Sequence, residues 1–294
     1  MKRLGFNFWG LAPAHVIMLL TLIVPIFIII AVSFASRGSY GGFTYEFSVK
    51  GYQQILFSEG WTGGLEFNLQ YLIIILRTII LAVLTTFICA VCAFPVAYWI
   101  SVQKGARKGV LIFLVTLPFW VSMIVRVYSW LIILGNDGVI ESVAKYLGLT
   151  ERMDSMLFNT PAMLLGMIYS YMPLMILPIY ASIEKLDPAL LEASRDLYSS
   201  RLGSLLKIML PLCKPGIVAG SILVFVPCLG TVLEPTLLGG GKVMLMGNLV
   251  QMQFGGARNW PFGAAIAVLL MAIVLGFLLL NGLKSARTAM KENA

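Results

Sequence analysis

From Ala12 to Phe34 the chain runs 23 residues without one Asp, Glu, Lys or Arg. A helix crossing a bilayer needs about 20 mostly apolar residues. Six stretches meet that length: Ala12–Phe34, Leu69–Ile100, Val110–Leu134, Pro161–Ser182, Pro211–Leu233 and Pro261–Leu283. In hydrocarbon each backbone N–H and C=O must be satisfied within the protein, so each stretch reads as a helix. The second is over-long and carries Arg77 and Pro95, so part of it tilts or leaves the bilayer. Only 12% of the residues are charged, half the usual share of about 25% in a soluble domain. The expectation is an all-α integral membrane protein, with residues 1–294 forming a single transmembrane domain of six helices. The run after "MKRLGFNFWG" exceeds a signal-peptide core of about 7–15 residues, so it reads as an uncleaved first span.

Lysine and arginine set the orientation. The loops on one side carry thirteen basic and five acidic residues; those on the other carry six basic and eight acidic. The basic side is expected to be cytoplasmic and to hold both termini. The net charge of +8 thus records topology and calls for no nucleic acid. Cys89 and Cys92 form a CxxC inside the apolar run "FICAVCAF" and read as small core residues. Cys213 and Cys228 are isolated, and the single histidine, His15, has no second ligand candidate beside it. No metal site and no catalytic constellation is expected.

One segment breaks the apolar pattern. "EASRDLYSSRLGSLLKIMLPLCKPG" (Glu192 to Gly216) is a polar insert between the fourth and fifth spans, on the cytoplasmic side. Asp187-Pro188 is a helix start: Asp accepts a bond from a free N–H, and Pro at the first position gives up nothing. Leu190, Leu191, Ser194 and Leu197 share one face, with Glu192, Arg195 and Asp196 on the other. Ser199 or Ser200 can cap a second helix carrying Leu202, Leu205, Leu206 and Met209, which Pro211 then breaks. Two short amphipathic helices joined by a tight turn suit either an interfacial position on lipid or docking of a cytoplasmic protein.

The same residues resemble the EAA loop of permease subunits in bacterial ATP-binding-cassette (ABC) importers. That pattern reads Glu-Ala-Ala, three residues, Gly, about nine more residues, then Ile-x-Leu-Pro. The chain matches at Glu192, Ala193, Ile208, Leu210 and Pro211, and departs at Ser194 and at Tyr198, which stands where the family has Gly. "LPFWVSMIVRVYSWLIILGNDG", "YMPLMILPIYASIEKLDPALLEA", "LLGGGKVMLMGNLVQMQF" and "NWPFGAA" further resemble the spermidine/putrescine permeases of the binding-protein-dependent inner-membrane component family.

This resemblance implies the MetI-like fold of type I importers. It implies a second homologous permease, two ATP-binding subunits, a periplasmic substrate-binding protein and a polyamine substrate. It also makes the insert a pair of coupling helices seated in a groove of the ATPase, with Leu190, Leu191, Glu192, Ala193, Arg195, Leu197 and Tyr198 as the ATPase-coupling residues. The chain has no G-x-x-x-x-G-K-[ST], and "GGGK" at Gly239–Lys242 is followed by Val. ATP and Mg are therefore expected to be used by the partner ATPase, with no cofactor bound by this chain.

Polyamines are flexible polycations, and a path for them would combine carboxylates with aromatic faces. The candidates are Trp120, Tyr128, Trp130, Asp137, Tyr169, Tyr171, Glu234 and Trp260. Trp and Tyr also anchor helices at membrane interfaces, so the aromatic residues keep both readings. Arg77 and Arg126 lie within spans and reach the interface or pair with acids, Asp137 or Glu141 for Arg126. Charge suits an anionic solute equally, so the polyamine rests on the resemblance. The alternatives are an importer permease for an opine, an amino-acid derivative or an iron complex. A stand-alone ion-driven transporter predicts internal repeats and intramembrane carboxylates, and neither is evident.

Overall fold

A computed structural model describes residues 4–59, 65–136, 138–148, 156–196, 198 and 200–292. In chain order the elements are α1 (Leu4–Ser33), β1 (Ala35–Arg37), β2 (Phe43–Phe47), α2 (Lys50–Leu56), β3 (Phe57–Glu59), β4 (Leu65–Phe67), α3 (Gln70–Ser101), α4 (Gly105–Thr116), α5 (Met123–Leu134), α6 (Val139–Tyr146), α7 (Thr160–Ile183), α8 (Pro188–Asp196), α9 (Arg201–Ser204), α10 (Leu210–Leu212), α11 (Lys214–Leu229), α12 (Leu233–Leu237), α13 (Met246–Phe254) and α14 (Trp260–Glu292). Among the described residues five helices are long and apolar enough to cross a membrane, or six if the bent pair Leu205–Leu212 and Lys214–Leu229 counts as one span. The chain divides into two compact units, Met1–Ile73 with Leu249–Ala294, and Ile74–Asn248.

In the first unit α1 packs along α14. Val16, Met18 and Phe27 on α1 are more than half exposed, as suits apolar side chains in lipid, which is as apolar as they are. Two antiparallel hairpins, β1–β2 and β3–β4, occupy the loop after α1. The first turns through Gly41 and Gly42, at φ of 92° and 78°, values at which a side chain is strained. It is fastened to the start of α14: Arg37 donates to the Ala257 carbonyl at 3.1 Å and the Phe43 ring meets Trp260 at 6.0 Å. Gly51 on α2 lies where a Cβ would stand 3.1 Å from the Pro261 carbonyl, so α2 and α14 touch through backbone.

In the second unit the core is the pair α7 and α11. Asn159 caps α7 by accepting from Ala162 N at 2.8 Å, with Pro161 beside it at the helix start. Met163, Met167, Met175 and Ile179 on α7, and Val224, Cys228 and Leu229 on α11, are fully buried. Gly216 and Gly220 let the two backbones approach: a Cβ on Gly216 would stand 2.5 Å from the Pro178 carbonyl, and one on Gly220 would stand 2.7 Å from the Met175 sulfur. Cys89 is buried on α3 with its thiol toward the Ile168 carbonyl, 3.8 Å away, while Cys92 is exposed; both are free thiols.

Two spans differ from the sequence expectation. The stretch Val110–Leu134 is not one helix but α4, a 3-10 turn at Leu117–Trp120, and α5. Pro118 lies in that turn, and its missing N–H and bulky ring stop α4. Val121 and Ser122 are extended before α5 begins, and the candidate span runs from Met123 to Tyr146. The fifth span does not start at Pro211. A π-helical turn, Leu205–Met209, leads into α10, and the axis bends by 64° between Leu212 and Lys214. It also ends early, at Leu229, with Gly230 as its cap.

Candidate functional site

The polar insert folds as its sequence directs. Asp187 Oδ1 accepts from Ala189 N at 2.9 Å and starts α8 behind Pro188. Ser200 Oγ accepts from Gly203 N at 3.0 Å and starts α9. Ser194, read above as part of the leucine face and as a departure from the family Ala, is buried and its hydroxyl lies 2.8 Å from that of Ser204. This bond holds α8 against α9, and the serine at the family's alanine position is what permits it. Glu192, Asp196 and Tyr198 are exposed, and Leu190 is about half exposed. Leu191, Ala193 and Arg195 lie on α8. Leu197 and Ser199 fall outside the described residues.

Tyr198 has φ of 57° and is 98% exposed. A left-handed backbone costs an ordinary L-residue about 1–2 kcal/mol. The turn is not built around an ordinary φ at Tyr198, and the ring is not packed against the described residues of its own subunit.

Where α7 ends, Lys108 of α4 donates to both oxygens of Glu184, at 2.7 and 2.6 Å, and sits 5.7 Å from the Tyr180 ring. The hydrogen bond from Lys108 holds the Glu184 carboxyl below the usual range, and the same bond lifts Lys108 above the usual lysine range. A lowered acid contributes stability above its unfolded pKa and loses it as pH falls through the folded one. A raised base loses its contribution only as pH rises through its folded value. The tie is therefore complete at neutral pH and fails in acid below the ordinary glutamate range, or in base above the ordinary lysine range. Both side chains are partly exposed, so the pair adds about 0–1 kcal/mol. Lys108→Glu is expected to loosen the exit of α7 and quicken protease cleavage around Asp187; adding Glu184→Lys should restore resistance. Equal cleavage in all three chains would show that the tie is idle. Nothing local in the sequence signals this pair, whose members are 76 residues apart.

The proposed path residues separate into groups. Glu234 does not end the fifth span; it opens the separate helix α12, because the chain turns at Gly230–Val232 first. It is fully buried. A Cβ on Gly166 of α7 would stand 3.5 Å from Glu234 Cγ, so the carboxylate lies along α7. Its Oε2 accepts from the Thr231 hydroxyl, while Oε1 has no partner among the described residues. Tyr171, also buried, lies beside Thr231 and within electrostatic reach of Glu234 and Arg126. Ser170 is buried next to it, its hydroxyl without a partner among the described residues. Sequence reasoning missed Ser170 and Thr231, which carry no charge or ring to mark them.

Among the described residues Arg126 Nε and Nη1 are buried without partners, and Glu141 pairs with Lys145 at 2.9 Å. Asp137 lies outside the described residues. Trp130 and Tyr169 meet edge to face at 5.6 Å, while Trp120 and Tyr128 are mostly exposed. Trp260 belongs to the other unit, with Phe43 and Phe254 as its ring neighbours.

No family model matches the chain. Among curated proteins it is 33% identical to the spermidine/putrescine transport system permease protein PotB of Escherichia coli (strain K12), over 94% of this chain and 96% of that protein. PotB of Haemophilus influenzae is 33% identical over 86% of each chain. The inner membrane ABC transporter permease protein YdcU of E. coli is 36% identical over 69% of this chain and 70% of that one. Among solved structures, a chain of a bacterial alginate ABC transporter in complex with an alginate pentasaccharide-bound periplasmic protein superposes with a TM-score of 0.74. It covers 95% of this chain and 93% of that one at 18% identity, a likeness of fold. A membrane-spanning helical chain, a two-helix polar insert carrying the EAA pattern and near full-length likeness to PotB lead to one conclusion: the chain belongs to the spermidine/putrescine transport system permease family of ABC transporter permeases.

Proposed function

We propose that the chain is the membrane-spanning permease subunit of an ATP-driven importer that carries a polyamine such as spermidine or putrescine across the bacterial inner membrane. The observation that carries this reading is the 33% identity to PotB over 94% of the chain. Both termini and the insert face the cytoplasm, as the bias of basic residues favours. A second homologous permease completes the pore, a periplasmic binding protein delivers the solute, and two ATPase subunits use ATP and Mg.

The insert suits coupling. Its two helices are tied to each other by Ser194 and Ser204 and flanked by α7 and α11. Glu192, Leu190 and Tyr198 are presented outward from it. When ATP closes the ATPase pair, a groove gripping these residues moves the α7–α11 pair and switches the cavity between outward and inward access. Glu192→Ala removes an exposed carboxylate. It should leave membrane insertion intact, reduce co-purification of the ATPase and lower uptake about tenfold, the effect of losing about 1.4 kcal/mol of docking. Wild-type uptake and ATPase recovery in that variant would sink the coupling role. Uptake of labelled putrescine and spermidine by the assembled importer tests the substrate.

A further inference from the structure

We infer that Glu234, Ser170 and Tyr171 form a subsite within this subunit for one primary ammonium group of the transported cation. The inference rests on the polyamine reading above and adds the place where this chain holds the substrate. Glu234 is 0% exposed, and its Oε1 is unpartnered among the described residues. A buried carboxylate without a counter-charge is strongly unfavourable. Thr231 satisfies Oε2 with a hydrogen bond but brings no charge. Arg126 stands on α5, which packs on α12, yet among the described residues its Nε and Nη1 make no hydrogen bond, so neither of them is spent on Glu234 Oε1. Among the described residues Glu234 takes part in no ion pair, and a cation from outside the chain would supply one.

The surroundings select its chemistry. Ser170 lies four residues beyond Gly166, the glycine against which Glu234 Cγ rests, hence one turn along the same face of α7. Its orphan hydroxyl is a second oxygen acceptor on that face. Tyr171 follows it and adds an aromatic ring within reach of the carboxylate. An alkylammonium has three N–H donors, a positive charge and an apolar stem, and it is attracted to ring faces. One carboxylate, one hydroxyl and one ring match it. Ca2+ and Mg2+ take six or more oxygen ligands, and among the described residues no group of three or more acidic, His or Cys side chains could hold a metal ion. A water molecule would complete the hydrogen bond to Oε1 but leave the charge uncompensated.

The test is concentration-dependent uptake of putrescine and spermidine by the complete importer in proteoliposomes. Glu234→Gln keeps the shape and removes the charge; its apparent KM is expected to rise at least tenfold while the complex assembles as in the wild type. Ser170→Ala should shift KM the same way, by about threefold. Glu234→Asp, which restores the charge on a shorter stem, should recover part of the loss. An unchanged KM in Glu234→Gln overturns the inference. So does a Glu234→Gln complex that fails to assemble, which would mean that a cation of another subunit fills the place. If the wild-type importer assembles but takes up neither polyamine, the polyamine reading fails first, and that outcome is visible before any variant is made.

Discussion

Gly216→Leu is expected to abolish a stable, transport-competent permease. Gly216 and Gly220 lie four residues apart on α11, a small-x-x-x-small spacing that brings two membrane helices together. A Cβ at Gly216 would stand 2.2 Å from Ser182 Oγ and 2.5 Å from the Pro178 carbonyl, and the latter is backbone that cannot rotate away. Overpacking a tight site costs about 1–3 kcal/mol, occasionally more. Leucine adds three further carbons where one already clashes, and helix association in lipid has little besides packing to sustain it. Gly220→Ala should be milder, since its closest neighbour is the flexible Met175 thioether at 2.7 Å, although Met175 backbone stands at 3.3 Å. The measurement is the yield of monodisperse complex and the protease resistance of the α7–α11 segment. A Gly216→Leu chain that assembles and transports normally would show that this close approach is dispensable. On the coupling reading the consequence reaches function, because α7 and α11 flank the insert. If they part, a push on α8 and α9 is no longer delivered to one body.

The fold was legible where a single physical constraint dominates. The apolar runs behind α1, α3, α7 and α14 have no alternative to spanning helices, and Asp187-Pro188 and Ser200 mark helix starts by local hydrogen bonding alone. The third and fifth spans were misread because hydropathy does not register a broken axis. Pro118 and the two extended residues after it are as apolar as a helix would be, apart from Ser122, and at the 64° bend the lone Lys214 does not distinguish a break from a helix start. Placing Glu234 correctly required knowing that Gly230 ends α11, which a one-dimensional window cannot see. In the candidate site the charged and aromatic members were visible as residue types. Which of them meet was not: Trp130 finds Tyr169 across two helices, whereas Trp120 stays exposed. The Ser194–Ser204 bond and the Lys108–Glu184 tie depend on tertiary approach, and pattern alone gave no reason to expect them.

Tyr198→Gly is expected to relax the tip of the insert and at the same time uncouple it. At φ of 57° a tyrosine carries strain that a glycine does not, so the substitution removes about 1 kcal/mol of unfavourable backbone energy. If the turn mattered only as a turn, transport would hold or improve. The ring, however, is 98% exposed, so no packing against the described residues offsets the strain. On the coupling reading the offset comes from the ATPase, whose groove takes the ring as an aromatic knob at the apex of α8 and α9. Burying an aromatic anchor in such a pocket is worth about 2 kcal/mol or more, which exceeds the strain and favours tyrosine over glycine there. Tyr198→Gly should then reduce ATPase co-purification and uptake by about tenfold or more, while Tyr198→Phe, which keeps the ring, should stay near the wild type. Melting of the variant permease alone separates the two effects: it should be unchanged or slightly higher. A Tyr198→Gly importer that couples like the wild type would leave the ring without a partner and remove Tyr198 from the docking surface.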